Sequence, residues 1–572
     1  MTFRLSISAI GAAMALASCA TIETPRTSAG DYLTGRLAAG LNDVDAAARR
    51  YGAAVALNPD DIDIVRSAFL FHVAAGDVEG SAPYARKLVA QDEDRGLAAL
   101  TLTLIDLKHG ELDSARDQAR GEFSEPLAQS IAFIAGAWIE SEIAGPAAGL
   151  SAFDLGEEVF TGFNPTFKAM LFERKGDFDA ASAAHQISVA SFGGPIGRAA
   201  YGAFLERHGE TGAARDYYAQ LKKEGGASRR LANAGLGRLE KGRASKAYEN
   251  VSARQGVAMA LYLFAGNLIQ QSAEEMQRAA DAGFRVSERP FNLPLALSEL
   301  AVYLDPDLAE ARRLIGSIQN IYGNFDAARE AFAAISPASP EFEQAQIEIA
   351  NSLAAEKRDE EAIKTLKSAI KRDPRAEDAR LTLAGYYAAA NRFEEAVKEA
   401  SRAIDRLEVP PPADAWRHYI TRADALISLD RFADAERDLK KAVEIAPEEP
   451  IALNYLGYSW AERGVNLEEA FALIEKAVAL RPQSGAIVDS LGWAHFQRGD
   501  YDEALIHLEQ AAALEPADPT VTEHLGDVYW RVGRETEARF QWERALELEP
   551  GERARAGLEK KLKSGLDPIE KK

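Results

Sequence analysis

Along the last third of the chain, apolar residues recur at three- and four-residue spacings, the pattern of helices that bury one face. The stretch "DSLGWAHFQRGDYDEALIHLEQAAALEP" (489–516) predicts two such helices, broken at Gly499 and stopped by Pro516. The later stretch "EHLGDVYWRVGRETEARFQWERALELEP" (523–550) carries the same small residues in the same places.

Gly492, Gly499, Ala504, Ala511 and Pro516 return 34 residues later as Gly526, Gly533, Ala538, Ala545 and Pro550. Gly457, Ala470, Ala477 and Pro482 form the preceding unit, with one extra residue before Ala470. Each position has a mechanical reason. The first glycine and the alanine pair let two antiparallel helices approach closely. The second glycine can take the left-handed conformation that ends a helix. The proline cannot continue a helix and pushes its predecessor out of the α region. The frame continues upstream through Ala435, Ala442 and Pro447, through Ala396 and Ala403, through Ala362, Ala369 and Pro374, and through Gly316, Gly323, Ala328 and Phe332. It returns at Gly202, Gly209, Ala214 and Tyr218, and near the start at Gly35, Ala47, Tyr51, Ala54 and Pro59.

This pattern resembles the tetratricopeptide repeat (TPR). The resemblance implies an all-α fold, an α-solenoid of helix-turn-helix repeats forming a superhelix. A lone hairpin cannot bury its apolar face, and stacking its neighbours does. The expected organisation is a lipoprotein signal peptide over 1–18, a lipidated cysteine and flexible tether over 19–30, and degenerate repeats over 31–225. An irregular helical segment follows over 226–306, where Pro290 and Pro294 break the pattern. Regular repeats are expected over 307–556, then a capping helix and polar tail over 557–572.

Composition narrows the function. With 47% hydrophobic and 27% charged residues, the 572-residue chain has the material to fold. Its formal net charge of -22 opposes a nucleic-acid partner, because phosphate binding needs a basic surface. The single cysteine, Cys19, cannot form an internal disulfide or a paired-cysteine metal site. The eight histidines are scattered, and lone histidines on helices read as packing or surface residues. The sequence has no phosphate-binding glycine loop, nucleophile elbow or zinc-protease motif. Acid pairs such as Glu468-Glu469 and Glu394-Glu395 fall at helix starts, where they complement the dipole. The expectation is a non-enzyme with no metal, no small-molecule substrate and no cofactor beyond a covalent lipid.

That lipid is implied by the start of the chain, "MTFRLSISAIGAAMALASCA". Arg4 precedes an apolar run of 12 residues, Leu5 to Leu16. The run is shorter than the about 20 residues a spanning helix needs, and has the length of a signal-peptide core. Leu16-Ala17-Ser18-Cys19 resembles the lipobox of bacterial lipoproteins. The resemblance implies cleavage before Cys19, a diacylglycerol thioether on its sulfur and an N-acyl chain, enough for stable anchoring. Ala15-Leu16-Ala17 also fits ordinary signal cleavage, which would release a soluble secreted protein. Ala20 stands where lipoprotein sorting uses Asp to retain a protein in the inner membrane, so the resemblance points to an outer-membrane lipoprotein facing the periplasm. Residues 20–30 read as a flexible tether.

In the TPR frame, the concave face of the last three units would present Asn454 and Tyr458, then Asp489, Trp493 and Phe496, then Glu523, Asp527 and Trp530. These are the expected partner-binding residues, because aromatics supply stiff anchor area; repeat packing is the competing role for the same side chains. The basic carboxylate clamp of chaperone-binding TPR domains is missing. The segment "LNYLGYSWAERGVNLEEAFALIEKAVALRPQSGAIVDSLGWAHFQRGDYDEAL" resembles the C-terminal repeats of outer-membrane adapters of carboxyl-terminal processing proteases. Those adapters hold a periplasmic serine protease and its cell-wall hydrolase substrates together. By that resemblance the chain would raise the local concentration of substrate near a protease. The alternative is a structural TPR lipoprotein of an envelope assembly, such as exopolysaccharide export or outer-membrane protein assembly.

Overall fold

Aspartates open many of the helices. Asp43 Oδ1 accepts a hydrogen bond from the Ala46 amide at 2.9 Å, and Asp518 Oδ1 accepts from the Thr520 and Val521 amides at 2.7 and 3.0 Å. Each such cap satisfies an orphan donor of the first turn, worth about 1 kcal/mol. The computed structural model describes residues 27–91, 96–155, 162–192, 194–281, 291–407 and 409–567. The signal segment, Cys19 and most of the tether lie outside the described residues. Among the described residues the chain is all-α, with 30 helices, one 3-10 turn and no strand. The described residues form two compact units, those up to 221 with 230–356, and 222–229 with those from 357 onward.

The first unit begins as a row of helical hairpins. Ser28–Gly40 pairs with Val44–Leu57, Ile62–Ala74 with Val78–Ala90, and Leu97–His109 with Leu112–Ala119. Pro126–Ala144 then pairs with Pro146–Leu155, and Asn164–Lys175 with Phe178–Phe192. In such a row the first helix of each hairpin lines the inner face.

That inner face is occupied by the chain itself. Helix Ala253–Asp281 packs on Pro126–Ala144, and helix Asn292–Leu304 packs on Ile62–Ala74 and Leu97–His109. Both inserted helices are apolar on every side where they enter: Val257, Ala258, Leu261, Leu295, Leu297 and Leu300 are fully buried. They share one continuous core with Phe69, Leu100, Leu104 and Trp138. A helix that is hydrophobic all round has to be surrounded, and the hollow of the hairpin row surrounds it. These helices fall in the 226–306 stretch where the repeat frame fades. Pro294, expected to break the pattern, instead lies in the first turn of helix Asn292–Leu304; Pro290 lies outside the described residues, and the all-round apolarity of the stretch belongs to a filler of the hollow.

The linker ahead of the first inserted helix is held by its main chain. Arg174 Nη1 donates to the Val251 carbonyl at 2.9 Å. Arg207 Nη1 donates to the carbonyls of Ser245 and Ala247 at 3.2 and 2.6 Å. Glu206 Oε2 accepts from the Ser245 amide at 2.7 Å, and Glu142 Oε2 from the Ala253 amide at 3.2 Å. Arg207 also forms a two-point pair with Glu173, at 2.8 Å for each bond.

The second unit keeps the regular frame. Its hairpins are Glu377–Ala389 with Phe393–Ile404, Trp416–Ser428 with Phe432–Ile445, and Pro450–Glu462 with Leu467–Leu480. Gly485–Arg498 with Tyr501–Leu514 and Pro519–Arg531 with Glu535–Glu547 complete the row, and Glu552–Ser564 closes it. The paired alanines are at the crossings: Ala470, Ala477, Ala504, Ala511, Ala538 and Ala545 are all fully buried. A Cβ on Gly492 would lie 2.6 Å from Leu508 Cγ, so only glycine permits that crossing distance. Gly499 ends its helix at φ 85°, the left-handed cap conformation. Residues 222–229 join this unit through Arg229, which pairs with Asp414 at 2.7 and 2.8 Å and with Asp378 at 2.8 Å.

Candidate functional site

The row of first helices in the second unit brings the eight sequence-predicted groove residues onto three consecutive helices. Asn454 and Tyr458 lie on Pro450–Glu462, Asp489, Trp493 and Phe496 on Gly485–Arg498, and Glu523, Asp527 and Trp530 on Pro519–Arg531. Their roles divide sharply.

Three acidic positions are used inside the chain. Asp489 is buried, and its carboxylate receives His524 Nδ1 at 2.9 and 3.1 Å. Asp527 is buried too; Trp542 Nε1 donates to its Oδ1 at 2.8 Å and Lys561 Nζ to its Oδ2 at 2.7 Å. Lys561, from the closing helix, also reaches Glu523 Oε1 at 2.6 Å. These carboxylates join neighbouring elements, which differs from the expectation that they face a partner. Trp530 is likewise covered: it tilts against Trp542 with centroids 5.4 Å apart, lies 5.3 Å from the Arg539 guanidinium, and sits under Gly565.

The remaining positions form an aromatic shelf. Trp493 stacks on Phe496 at 4.7 Å, with planes 6° apart, and on the other side on His524 at 3.9 Å, with planes 14° apart. Phe496 meets the edge of Tyr501 at 5.3 Å. Two polar atoms on this shelf, Trp493 Nε1 and Asn454 Oδ1, are buried with no hydrogen-bond partner. A buried polar atom left unpaired costs about 1–3 kcal/mol, so these two atoms are a local cost inside the packing.

Carboxylates act on Tyr458, beside the shelf. Burial pushes the Tyr458 phenol far above its ordinary value, and the carboxylates of Glu462, Asp489 and Glu523 push the same way. Burial alone would lower the His524 imidazole, yet Asp489, with Asp527 and Glu523 behind it, raises it. Burial raises Asp527 against the pull of Lys561. Among the described residues no group of three or more His, Cys, Asp or Glu could hold a metal ion.

Sequence reasoning missed His524 and Lys561. His524 stands one repeat after Ser490, and nothing in the period marks it as the partner of Asp489. Lys561 lies in "EKKLKS", read as polar capping sequence; its signal was the pair of groove acids with no other cation in frame.

Models of the tetratricopeptide repeat match residues 353–414, 420–485 and 490–555. A TPR repeat-containing protein of Pseudomonas aeruginosa is 40% identical over 73 residues, which is 13% of this chain and 12% of that relative's length. Among solved structures, the Cut9-Hcn1 hetero-tetramer of the APC/C covers 96% of this chain and 98% of its own at 14% identity, with a TM-score of 0.40. Yeast Tom70 covers 94% of this chain and 95% of its own at 15% identity, with a TM-score of 0.34. The stretch from 353 to 555, with its buried alanine pairs and glycine crossings, is built of tetratricopeptide repeats.

Proposed function

We propose that the chain is a non-catalytic adapter that grips protein partners on the inner face of its second unit. The observation that carries this reading is the half-buried, stacked Trp493–Phe496 pair on a first helix of the row. In the first unit the inserted helices cover the first helices Ile62–Ala74, Leu97–His109 and Pro126–Ala144, whereas in the second unit Trp493 and Phe496 stay half-buried. Apolar anchor area and a few placed polar groups are what a peptide or loop needs for specific docking.

The finer reading is an outer-membrane lipoprotein, anchored through lipid on Cys19, that brings cell-wall hydrolases to a periplasmic processing protease. It is supported by the lipobox resemblance and by the C-terminal repeat sequence. Purification of the full chain from envelopes in mild detergent tests it. Co-purification of a serine protease with cell-wall hydrolases is the expected result. A barrel protein or a polysaccharide synthase in their place would transfer the chain to an envelope-assembly role.

A further inference from the structure

The first described helix has an outward face unlike that of the closing helix. Ser28–Gly40 turns Asp31, Gly35 and Ala38 inward. It leaves Leu33, Leu37 and Leu41 at 63%, 62% and 66% exposed. Spaced by four, the three leucines form one stripe, extended by exposed Ala29 and Gly30. A terminal repeat ordinarily turns a polar face outward. The closing helix Glu552–Ser564 does so, exposing Arg555, Glu559, Lys560 and Lys563.

Two facts decide what covers the stripe. The first is area. Three leucines offer roughly a few hundred Å², against the about 800 Å² each partner buries in a standard interface, so a second copy of the chain is a poor occupant. The second is position. Between Cys19 and Ser28 the sequence has eight residues, a reach of at most about 28 Å when fully extended. A lipid on Cys19 therefore holds this helix beside a membrane, where a small apolar face suffices because the anchor has already removed the cost of encounter.

We infer that the Leu33–Leu37–Leu41 face of the first helix lies against the lipid surface, seating the N-terminal end of the solenoid on the membrane. The inference rests on the reading of Cys19 as lipidated. Exposed Arg36, on the flank of the stripe, places its guanidinium at headgroup level while its stem follows the leucines.

The chain's one cysteine makes the test clean, because a lipidated Cys19 is blocked and a second cysteine takes a probe alone. Lipidated full-length Leu37→Cys, carrying a polarity-sensitive fluorophore, is reconstituted into phosphatidylethanolamine–phosphatidylglycerol vesicles containing nitroxide-labelled lipid. Glu210→Cys, exposed elsewhere in the first unit, is the control. The expected result is a blue shift and the loss of about half the emission at position 37, with neither at position 210. Flotation with the vesicles but no quenching at position 37 overturns the membrane contact and leaves the anchor standing. Failure to float overturns the anchor and the contact with it. A blue shift without vesicles that grows with protein concentration assigns the stripe to self-association and overturns the inference.

Discussion

His524 Nδ1 lies 2.9 Å from Asp489 Oδ2, joining the first helices of two successive repeats inside the core. The raised imidazole pKa means the folded chain holds this proton more tightly than the unfolded chain. The pair's stabilisation is therefore fully present below about pH 6.5 and is lost as pH rises through the folded value. The urea midpoint of the second unit should fall across that window, and His524→Asn should flatten the fall. A wild-type midpoint that rises with pH over the same range contradicts the assignment.

Gly492 measures how close the repeat helices lie. A new Cβ there meets Leu508 Cγ at 2.6 Å, so Gly492→Ala should cost about 1–3 kcal/mol through overpacking. The denaturant midpoint should drop with the slope unchanged. Gly533→Asn, at a left-handed helix end with open space around it, should cost less.

Arg207 tests the internal filling of the first unit. It is bound to Glu173 and to two linker carbonyls, and its side chain and that of Glu173 are 9% and 11% exposed. Arg207→Ala removes the two-point partner of a buried carboxylate and leaves it only His208 at 2.9 Å, a loss of about 3 kcal/mol. Burial opposes ionisation of Glu173, but Arg207 and His208 hold its carboxyl below the ordinary range. That stabilisation is present at neutral pH and is lost as pH falls. Limited proteolysis of the variant should cut first between Arg243 and Ser252, before any hairpin.

Trp493 and Trp530 should separate binding from folding. Trp493→Ala removes the shelf and should weaken partner binding by about 2 kcal/mol with helical circular dichroism intact. Trp530→Ala uncovers the closing helix and should lower thermal stability before it affects affinity. Equal loss of binding for both would place the partner across the closing helix as well.

The repeat was legible because each unit needs the same small residue at the same crossing: Gly457, Gly492 and Gly526 all face a side chain that leaves no room for a Cβ. The filling of the first unit was not. Residues 257–265 have the spacing of any helix, and their all-round burial depends on hairpins more than a hundred residues earlier. The site was partly legible for the same reason. Period and frame placed Trp493 and Phe496 on one helix, but whether a carboxylate faces a guest or a neighbour depends on His524 and Lys561, which the period does not set.

The proposed grip on partners belongs to the inner face of the second unit and not to the first. A photo-crosslinking amino acid placed at Trp493, and separately at Lys476 on the exposed second helix of its hairpin, tests it in intact envelopes. A protein crosslink at 493 that is absent at 476 is the expected result. Crosslinking at 476 with none at 493 would contradict it.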